Sequence, residues 1–183
     1  MPLSRMRNIT SVIAISSLAL ATPAAADEAD WAKASDITVG ALMAASLGVP
    51  LLKKDGKGAL QAGLSLAAAG GTSQLLKEAF PETRPDGSDR KSFPSGHTAV
   101  SFAAAASLQN RYGWQIGLPA HAAAAFVGLA RVEADKHHWY DVAVGAALGE
   151  ASGLLITSKQ NENVQVFPWA STKGGGVAMA MRF

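Results

Sequence analysis

Two histidines, three cations and one carboxylate stand in three short segments of the sequence, and their residue types suit phosphoryl transfer. Hydrolysis of a phosphate ester requires a nucleophile, an acid for the leaving oxygen and fixed positive charge around the phosphoryl oxygens. Imidazole can act as nucleophile or acid, and lysine and arginine supply the charge. Phosphoryl chemistry is therefore expected if the fold brings the three segments together. Their residues are Lys77 and Arg84; Ser95, Gly96 and His97; and Arg131, His137 and Asp141.

The middle segment, residues 92–98, predicts the start of a helix. Pro94 cannot continue a preceding helix, and Gly96 permits close approach of the backbone. A run of good helix formers follows over residues 99–108. Residues 95–97 are therefore expected in the first helical turn, where free N–H groups and the helix dipole attract an anion.

The order and spacing of these residues resemble the three signature motifs of the type 2 phosphatidic acid phosphatase (PAP2) superfamily, which also includes bacterial acid phosphatases and vanadium haloperoxidases. P-S-G-H alone would be a weak signal, but three motifs in order with their internal spacings kept are a strong one. Ala130 stands where the family usually has serine, and the resemblance covers residues 77–141. The first motif, K-x6-R-P, is met by Lys77, Arg84 and Pro85; the second, P-S-G-H, by residues 94–97; and the third, S-R-x5-H-x3-D, by Arg131, His137 and Asp141.

By this resemblance, His137 is the nucleophile that forms a phosphohistidine, and Asp141 is its orienting partner. His97 protonates the leaving alkoxide and then activates the water that hydrolyses the phosphoenzyme. The resemblance implies no metal or other cofactor, because the protein itself supplies the cations. The phosphoryl oxygens would be held by Lys77, Arg84, Ser95, the backbone N–H of Gly96, and Arg131.

The spacing of His137 and Asp141 gives a geometric expectation as well. Residues four apart lie one above the other on a helical face, where the carboxylate would fix the imidazole tautomer. On such a helix His138 points about 100° away, toward the site entrance or solvent. A metal site formed by these three residues is disfavoured because their spacing differs from that of known zinc motifs.

The distribution of charge predicts an all-α bundle of about five helices that is embedded in a membrane. Charge-free stretches of 16 to 19 residues approach the roughly 20 residues that cross a bilayer, whereas helices of a soluble bundle carry charge along an exposed stripe. An exported soluble bundle is the alternative, because the stretches are rich in alanine and glycine and the mean hydropathy is only +0.14. Asp, Glu, Lys and Arg are absent from residues 37–52, 58–76, 92–110 and 112–130, and residues 142–157 contain only Glu150.

The first 26 residues have the features of an export signal. Arg5 and Arg7 precede an apolar run over residues 9–20, and small residues at Ala24 and Ala26 fit cleavage after Ala26. An uncleaved signal anchor is the alternative. Either topology puts residue 27 outside the cytoplasm, and successive helices then place all three motifs on the periplasmic face of the inner membrane.

The remaining chain divides into residues 27–157, the expected phosphatase domain, and residues 158–183, a tail. Strand-forming residues at 164–167 and 177–181 flank a glycine-rich stretch, so a small β-hairpin or a loosely ordered tail is expected. The net charge is +2 for the whole chain, and no cysteine is present. Two of the arginines lie in the leader, so the rest of the chain has no net charge and nucleic acid binding is not expected. The absence of cysteine excludes disulfides and thiolate zinc sites.

These features together predict a phosphatase of the bacterial cell envelope. A membrane-embedded site would act on phosphorylated lipids such as phosphatidic acid, a polyprenyl phosphate or lipid A, among the lipids that surround it. A soluble bundle would instead be a nonspecific periplasmic acid phosphatase acting on small phosphate esters. A catalytically silent membrane protein of the same fold is a third possibility, which the intact motifs disfavour.

Overall fold

Five α-helices followed by two β-strands make up the computed structural model, which describes residues 27–160, 164–171 and 174–181. The predicted all-α bundle of five helices is confirmed, while the predicted export signal lies outside the described residues. The helices are α1 (Glu28–Leu52), α2 (Gly56–Ala79), α3 (Gly96–Tyr112), α4 (Trp114–Glu133) and α5 (Trp139–Ile156), and the strands are β1 (Val164–Ser171) and β2 (Gly174–Met181). The strands pair antiparallel, from Val164 opposite Met181 to Ser171 opposite Gly174.

Helix α3 lies at the centre of the bundle and contacts all four other helices. Its middle is a run of alanines, residues 103–106, each fully buried. Small side chains let the neighbouring backbones approach closely, so the core depends on fit between helices more than on large side chains.

Helix α5 makes the closest approach to α3, through glycines spaced four residues apart on one face. A Cβ atom on Gly145 would lie 2.5 Å from the carbonyl oxygen of Ser95, and one on Gly149 would lie 2.1 Å from that of Ala99. Both distances are far below van der Waals contact. The spaced glycines therefore determine how closely the start of α5, which carries Asp141, packs against the start of α3.

We expect the Gly149→Ala substitution to destabilise the bundle by about 1–3 kcal/mol, because overpacking a close helix contact forces the backbones apart. Thermal unfolding in detergent, followed by circular dichroism, measures the effect. The matched control is Gly48→Ala on α1, where a Cβ meets nothing within 4 Å. The control should keep or raise the unfolding temperature, since alanine favours helix over glycine, and equal losses in both variants would contradict the packing argument.

The end of the bundle that carries the α1–α2 turn is held by a buried ion pair. Asp55 caps α2 by accepting a hydrogen bond from the N–H of Gly58, 2.9 Å away. Arg111 donates from Nε and Nη2 to the two oxygens of the same carboxylate, at 2.7 and 2.6 Å. This contact holds the pKa of Asp55 well below its usual range and ties the end of α3 to the α1–α2 turn.

The outer surface of the bundle is apolar on several helices. Among the described helices, α1 alone is long and apolar enough to cross a bilayer, a property that buried helices of soluble proteins share. The placement of all five helices in a membrane therefore stays a prediction. Large apolar side chains that are mostly exposed include Leu52 (85%), Leu75 (68%), Trp139 (73%) and Leu155 (69%).

Candidate active site

The predicted site residues converge at the end of the bundle opposite the Asp55–Arg111 pair. Helices α2 and α4 run toward this end and α3 and α5 start from it, so that their termini meet. The segments between these helices, residues 80–95 and 134–138, close the same end. Lys77 lies in the last turn of α2, His97 in the first turn of α3, Arg131 in the last turn of α4 and Asp141 in the first turn of α5.

The segment of residues 80–95 is docked onto the turn of residues 134–138, which brings the first motif to the third. Lys136 Nζ lies 2.5 Å from Asp86 Oδ2. Arg84 donates from Nη1 to the carbonyl oxygen of Lys136 at 3.2 Å, and its Nε lies 2.7 Å from Asp89 Oδ1. These contacts fix the Arg84 guanidinium beside the turn that carries the predicted nucleophile.

Lys77 is held by the backbone of the segment before α3. Its ammonium donates to the carbonyl oxygens of Lys91 at 2.7 Å, Ser92 at 3.3 Å and Pro94. An ammonium group has three N–H donors, so these bonds engage all of them. In this structure Lys77 therefore anchors the P-S-G-H segment, and its charge acts on the site over a distance.

The expectation that His137 and Asp141 share a helical face is wrong in its local structure. His137 lies in the turn before α5, His138 is the N-cap, and Asp141 is the third helical residue. The helix starts late because the Asp141 carboxylate accepts a hydrogen bond from the backbone N–H of His138 at 2.8 Å, which caps the helix there. The imidazole and the carboxylate still lie close, with 3.7 Å between His137 Nδ1 and Asp141 Oδ2.

Three buried polar atoms of the site have no hydrogen-bond partner among the described residues: His137 Nδ1, Asp141 Oδ1 and Arg131 Nε. Leaving such an atom unpaired costs about 1–3 kcal/mol. His137 Nδ1 lies 3.7 Å from Oδ2 of the Asp141 carboxylate, and catalytic hydrogen bonds are often long before substrate binds. The arginine N–H is a donor available to a phosphoryl oxygen.

The other carboxylate oxygen of Asp141 is the centre of a hydrogen-bond network. It accepts from Ser92 Oγ at 2.6 Å and lies 3.2 Å from His138 Nδ1. The His138 ring stacks on Tyr140 with centroids 4.9 Å apart and 6° between the planes. Part of the His138 side chain meets solvent, as predicted, since about a third of it is exposed, and the two contacts fix its ring.

Glu82 joins this network, and a metal ion could in principle be held there. One ligand atom each of Glu82, His138 and Asp141 lies within 4.8 Å of the others. The atoms already have other partners, since Glu82 accepts from the Tyr140 hydroxyl and Asp141 accepts from Ser92. The arrangement is satisfied as a hydrogen-bond network, and it holds Asp141 through Oδ2, the oxygen that lies 3.7 Å from His137 Nδ1.

Ser95 and Gly96 begin α3 as predicted. Ser95 is fully buried, its backbone N–H donates to the carbonyl oxygen of Asp141 at 3.0 Å, and its Oγ accepts from Thr98 Oγ1 at 2.9 Å. The Ser95 hydroxyl therefore keeps its own hydrogen for another acceptor. A Cβ on Gly96 would lie 3.3 Å from Ser73 Oγ, so glycine allows α2 and the start of α3 to approach closely.

Two residues of α1, Ser35 and Asp36, contact the site and were not predicted from the sequence. Arg131 Nη1 donates to Ser35 Oγ at 3.2 Å and lies 3.5 Å from Asp36 Oδ1. The same carboxylate oxygen is 3.0 Å from His97 Nε2. One signal pointed to Asp36: it is the last charge before the charge-free stretch 37–52, which puts it near the same end of the bundle as the motifs.

The environment of His137 favours the neutral imidazole. Burial lowers its pKa to about 3, and the positive charges of Lys77, Arg84 and Arg131 act in the same direction, against the opposing charge of Asp141. Only the neutral ring has a free nitrogen lone pair that can attack phosphorus.

We expect the His137 resonance in carbon-13 histidine spectra to show no protonation between pH 8 and pH 4. The reason is the low pKa of about 3 in the folded protein. The fold should lose stability as pH falls below about 6.5, since the unfolded histidine then binds a proton that the buried ring does not. The His137 peak is assigned by its absence from the spectrum of His137→Asn. A titration midpoint near 6.5 would show that burial and the nearby cations do not lower the pKa of His137.

Comparison with known proteins identifies the family of this chain. Residues 58–165, more than half of the chain, match the family described as the PAP2 superfamily. The chain belongs to the PAP2 superfamily. The matched region contains all but the first two residues of α2, all of α3, α4 and α5 and every motif residue, but it begins after α1.

Two bacterial relatives share part of this region. The chain is 36% identical over 107 residues to the lipid A 1-phosphatase of Porphyromonas gingivalis, covering 56% of this chain and 24% of that protein. It is 29% identical over 122 residues to the lipid A 4'-phosphatase of Helicobacter pylori, covering 61% and 62% of the two chains. The chain therefore spans about a quarter of the first relative's length and less than two thirds of the second's.

The fold has a solved counterpart. The crystal structure of Aquifex aeolicus LpxE aligns with a TM-score of 0.60 at 23% identity, over 69% of this chain and 82% of that one. At this level of identity the likeness shows the arrangement of the helices.

Proposed function

We propose that this PAP2 protein is a metal-independent phosphatase that removes phosphate from a lipid through a phosphohistidine at His137. The observation that carries the proposal is the buried His137–Asp141 pair at the meeting point of four helix ends. Lys77, Arg84 and Arg131 lie close enough to lower the imidazole pKa. A neutral nucleophile surrounded by fixed cations is the arrangement that a transferring phosphoryl group requires.

In the first step, Nε2 of His137 attacks phosphorus while the bond to the leaving oxygen breaks. His97 gives its proton to that oxygen, which departs as the alcohol. Asp141 stabilises the positive charge that develops on the His137 ring. The Ser95 hydroxyl, the N–H of Gly96 and the guanidinium groups of Arg84 and Arg131 hold the equatorial oxygens.

In the second step, His97 takes a proton from water as the oxygen attacks the phosphohistidine. The bond between phosphorus and Nε2 breaks, inorganic phosphate leaves, and both histidines return to their initial protonation states. The same imidazole therefore acts first as acid and then as base. Neither step requires a metal ion, because positive side chains neutralise the phosphoryl charge.

A lipid substrate is supported by the outer surface and by the relatives. Exposed leucine and tryptophan side chains surround a bundle whose charges gather at its two ends, which suits helices that lie in a bilayer with the site at one interface. Two relatives are named as phosphatases of lipid A. We place the site on the periplasmic side of the bacterial inner membrane, because the loop with Lys53 and Lys54 lies at the other end.

The test is release of inorganic phosphate from phosphatidic acid and from lipid A in detergent, with EDTA present. Wild-type protein should release phosphate from at least one lipid at an unchanged rate when EDTA is added. Loss of activity in EDTA would contradict the metal-independent mechanism and direct attention to Glu82 and His138. Activity on glycerol phosphate alone, together with extraction from membranes by high salt, would support the soluble acid phosphatase instead.

A further inference from the structure

Helix α1 supplies part of the site although it lies outside the region that matches the family. Its residues Ser35 and Asp36 contact Arg131, and Asp36 also reaches the predicted acid, His97. Ser35 is fully buried, whereas the Asp36 side chain is 59% exposed at the mouth of the site. A side chain this exposed contributes little to the packing of α1.

The contact between Asp36 and His97 is a close charged pair. His97 Nε2 lies 3.0 Å from Asp36 Oδ1, so the carboxylate is near enough to hold this nitrogen of the ring when the imidazole is protonated. Nδ1 makes no hydrogen bond with the described residues and remains available to the leaving oxygen. Burial lowers the pKa of His97, and the guanidinium groups of Arg131 and Arg84 act in the same direction, whereas the Asp36 carboxylate opposes them.

We propose that Asp36 is a positioning residue that orients His97 and stabilises its protonated form for transfer to the leaving alkoxide. A carboxylate beside an imidazolium favours the charged form, and here it opposes the effects of burial and of the two arginines. The inference rests on the proposed phosphatase function, because it assigns a task to the general acid of that reaction. It also explains how α1 contributes to the site. The motif residues place only positive side chains near the His97 ring, and α1 adds a carboxylate beside it.

The same geometry allows an opposite role, in which Asp36 hinders substrate binding, and the experiment must distinguish the two roles. One Asp36 oxygen lies between His97 and Arg131, at 3.0 and 3.5 Å, where a substrate oxygen could also bind. A carboxylate that merely blocks this position would lower substrate affinity. Its removal would then improve binding, whereas removal of a positioning residue slows the chemical step.

The kinetic test compares Asp36→Asn with wild type on two substrates. Short-chain phosphatidic acid has an alkoxide leaving group that needs a proton, whereas p-nitrophenyl phosphate has a leaving group that needs little help. We expect kcat on the lipid to fall by about 10-fold or more, as for partial loss of general acid catalysis, with KM unchanged. On p-nitrophenyl phosphate the rate of the nitrophenolate burst, which reports the phosphorylation step alone, should fall by no more than about 3-fold, because departure of this leaving group depends weakly on the acid.

The matched control is Asp30→Asn, another exposed carboxylate of α1, which lies in the first turn, six residues before Asp36. It should leave both rates unchanged. Equal losses in the phosphorylation step on the two substrates, or a lower KM with a higher kcat in Asp36→Asn, would overturn the proposal.

A second measurement needs no turnover and so separates this inference from the phosphatase function. Carbon-13 histidine spectra give the pKa of His97 in wild type and in Asp36→Asn, with the peak assigned by its loss in His97→Asn. We expect the pKa to fall by about 1 unit when the carboxylate is removed. An unchanged His97 pKa overturns the proposal even if the protein hydrolyses phosphate esters, and a lowered one supports the contact even if it does not.

Discussion

Replacing His137 by alanine will abolish phosphate release, by at least about 10⁴-fold, because loss of a covalent nucleophile removes the reaction path itself. The side chain is only 2% exposed, so the substitution leaves a small cavity next to Asp141. Measurement of phosphate released from the preferred lipid in detergent tests the prediction. Retained helicity and an unfolding temperature near that of wild type would show that the loss is chemical.

A matched histidine elsewhere in the chain controls for this result. His121 of α4 lies between the two ends of the bundle and contacts Glu150, with Nε2 3.0 Å from Oε2. His121→Gln should keep activity within about 3-fold, as a substitution remote from the reacting atoms does. A His137→Ala protein as active as the His121→Gln control would rule out the phosphohistidine mechanism.

Replacing His97 by alanine should have a different signature, namely accumulation of the phosphoenzyme. With p-nitrophenyl phosphate the leaving group departs without strong acid catalysis, so His137 is still phosphorylated. Hydrolysis of the intermediate then lacks its base and slows by about 10²–10⁴-fold, the usual contribution of such a group.

Rapid quenching of the His97→Ala protein with phosphorus-32 substrate detects this intermediate. The label should be stable to alkali and labile to acid, as expected of a phosphohistidine, and should reach a large fraction of one per chain. The double variant with His137→Ala should carry none. Label that persists in the double variant would place the covalent bond on another residue.

Much of the site could be predicted from the sequence, because motif spacings and helix ends are local properties. Pro94 and Gly96 mark the start of α3, which begins at Gly96, and the charge-free stretches mark the helices whose ends carry the motif residues. Antiparallel helices of similar length necessarily bring alternate ends together. The convergence of the motif residues at one end therefore followed from their position in the chain.

The sequence pattern predicted the contacts of a side chain less well where several groups compete for the same hydrogen-bond partner. A spacing of four residues favours a helical pair for His137 and Asp141, but capping by Asp141 starts α5 after His138. Likewise, the charge of Lys77 suggests a direct phosphate ligand, while its ammonium is engaged by three backbone carbonyls. Which acceptor a long or buried polar group finds depends on the packed backbone around it.

The sequence by itself determined which residues are candidates for the reaction, the helices that carry them and the end of the bundle where they meet, because these depend on residue type and spacing along one chain. Only the tertiary structure decided that α1 adds Ser35 and Asp36 to the site. No spacing rule connects Asp36 with His97, since their contact arises from the packing of α1 against α3 and α4. That packing depends on the close approach of helices that small core side chains allow, and this approach exists only in the assembled bundle.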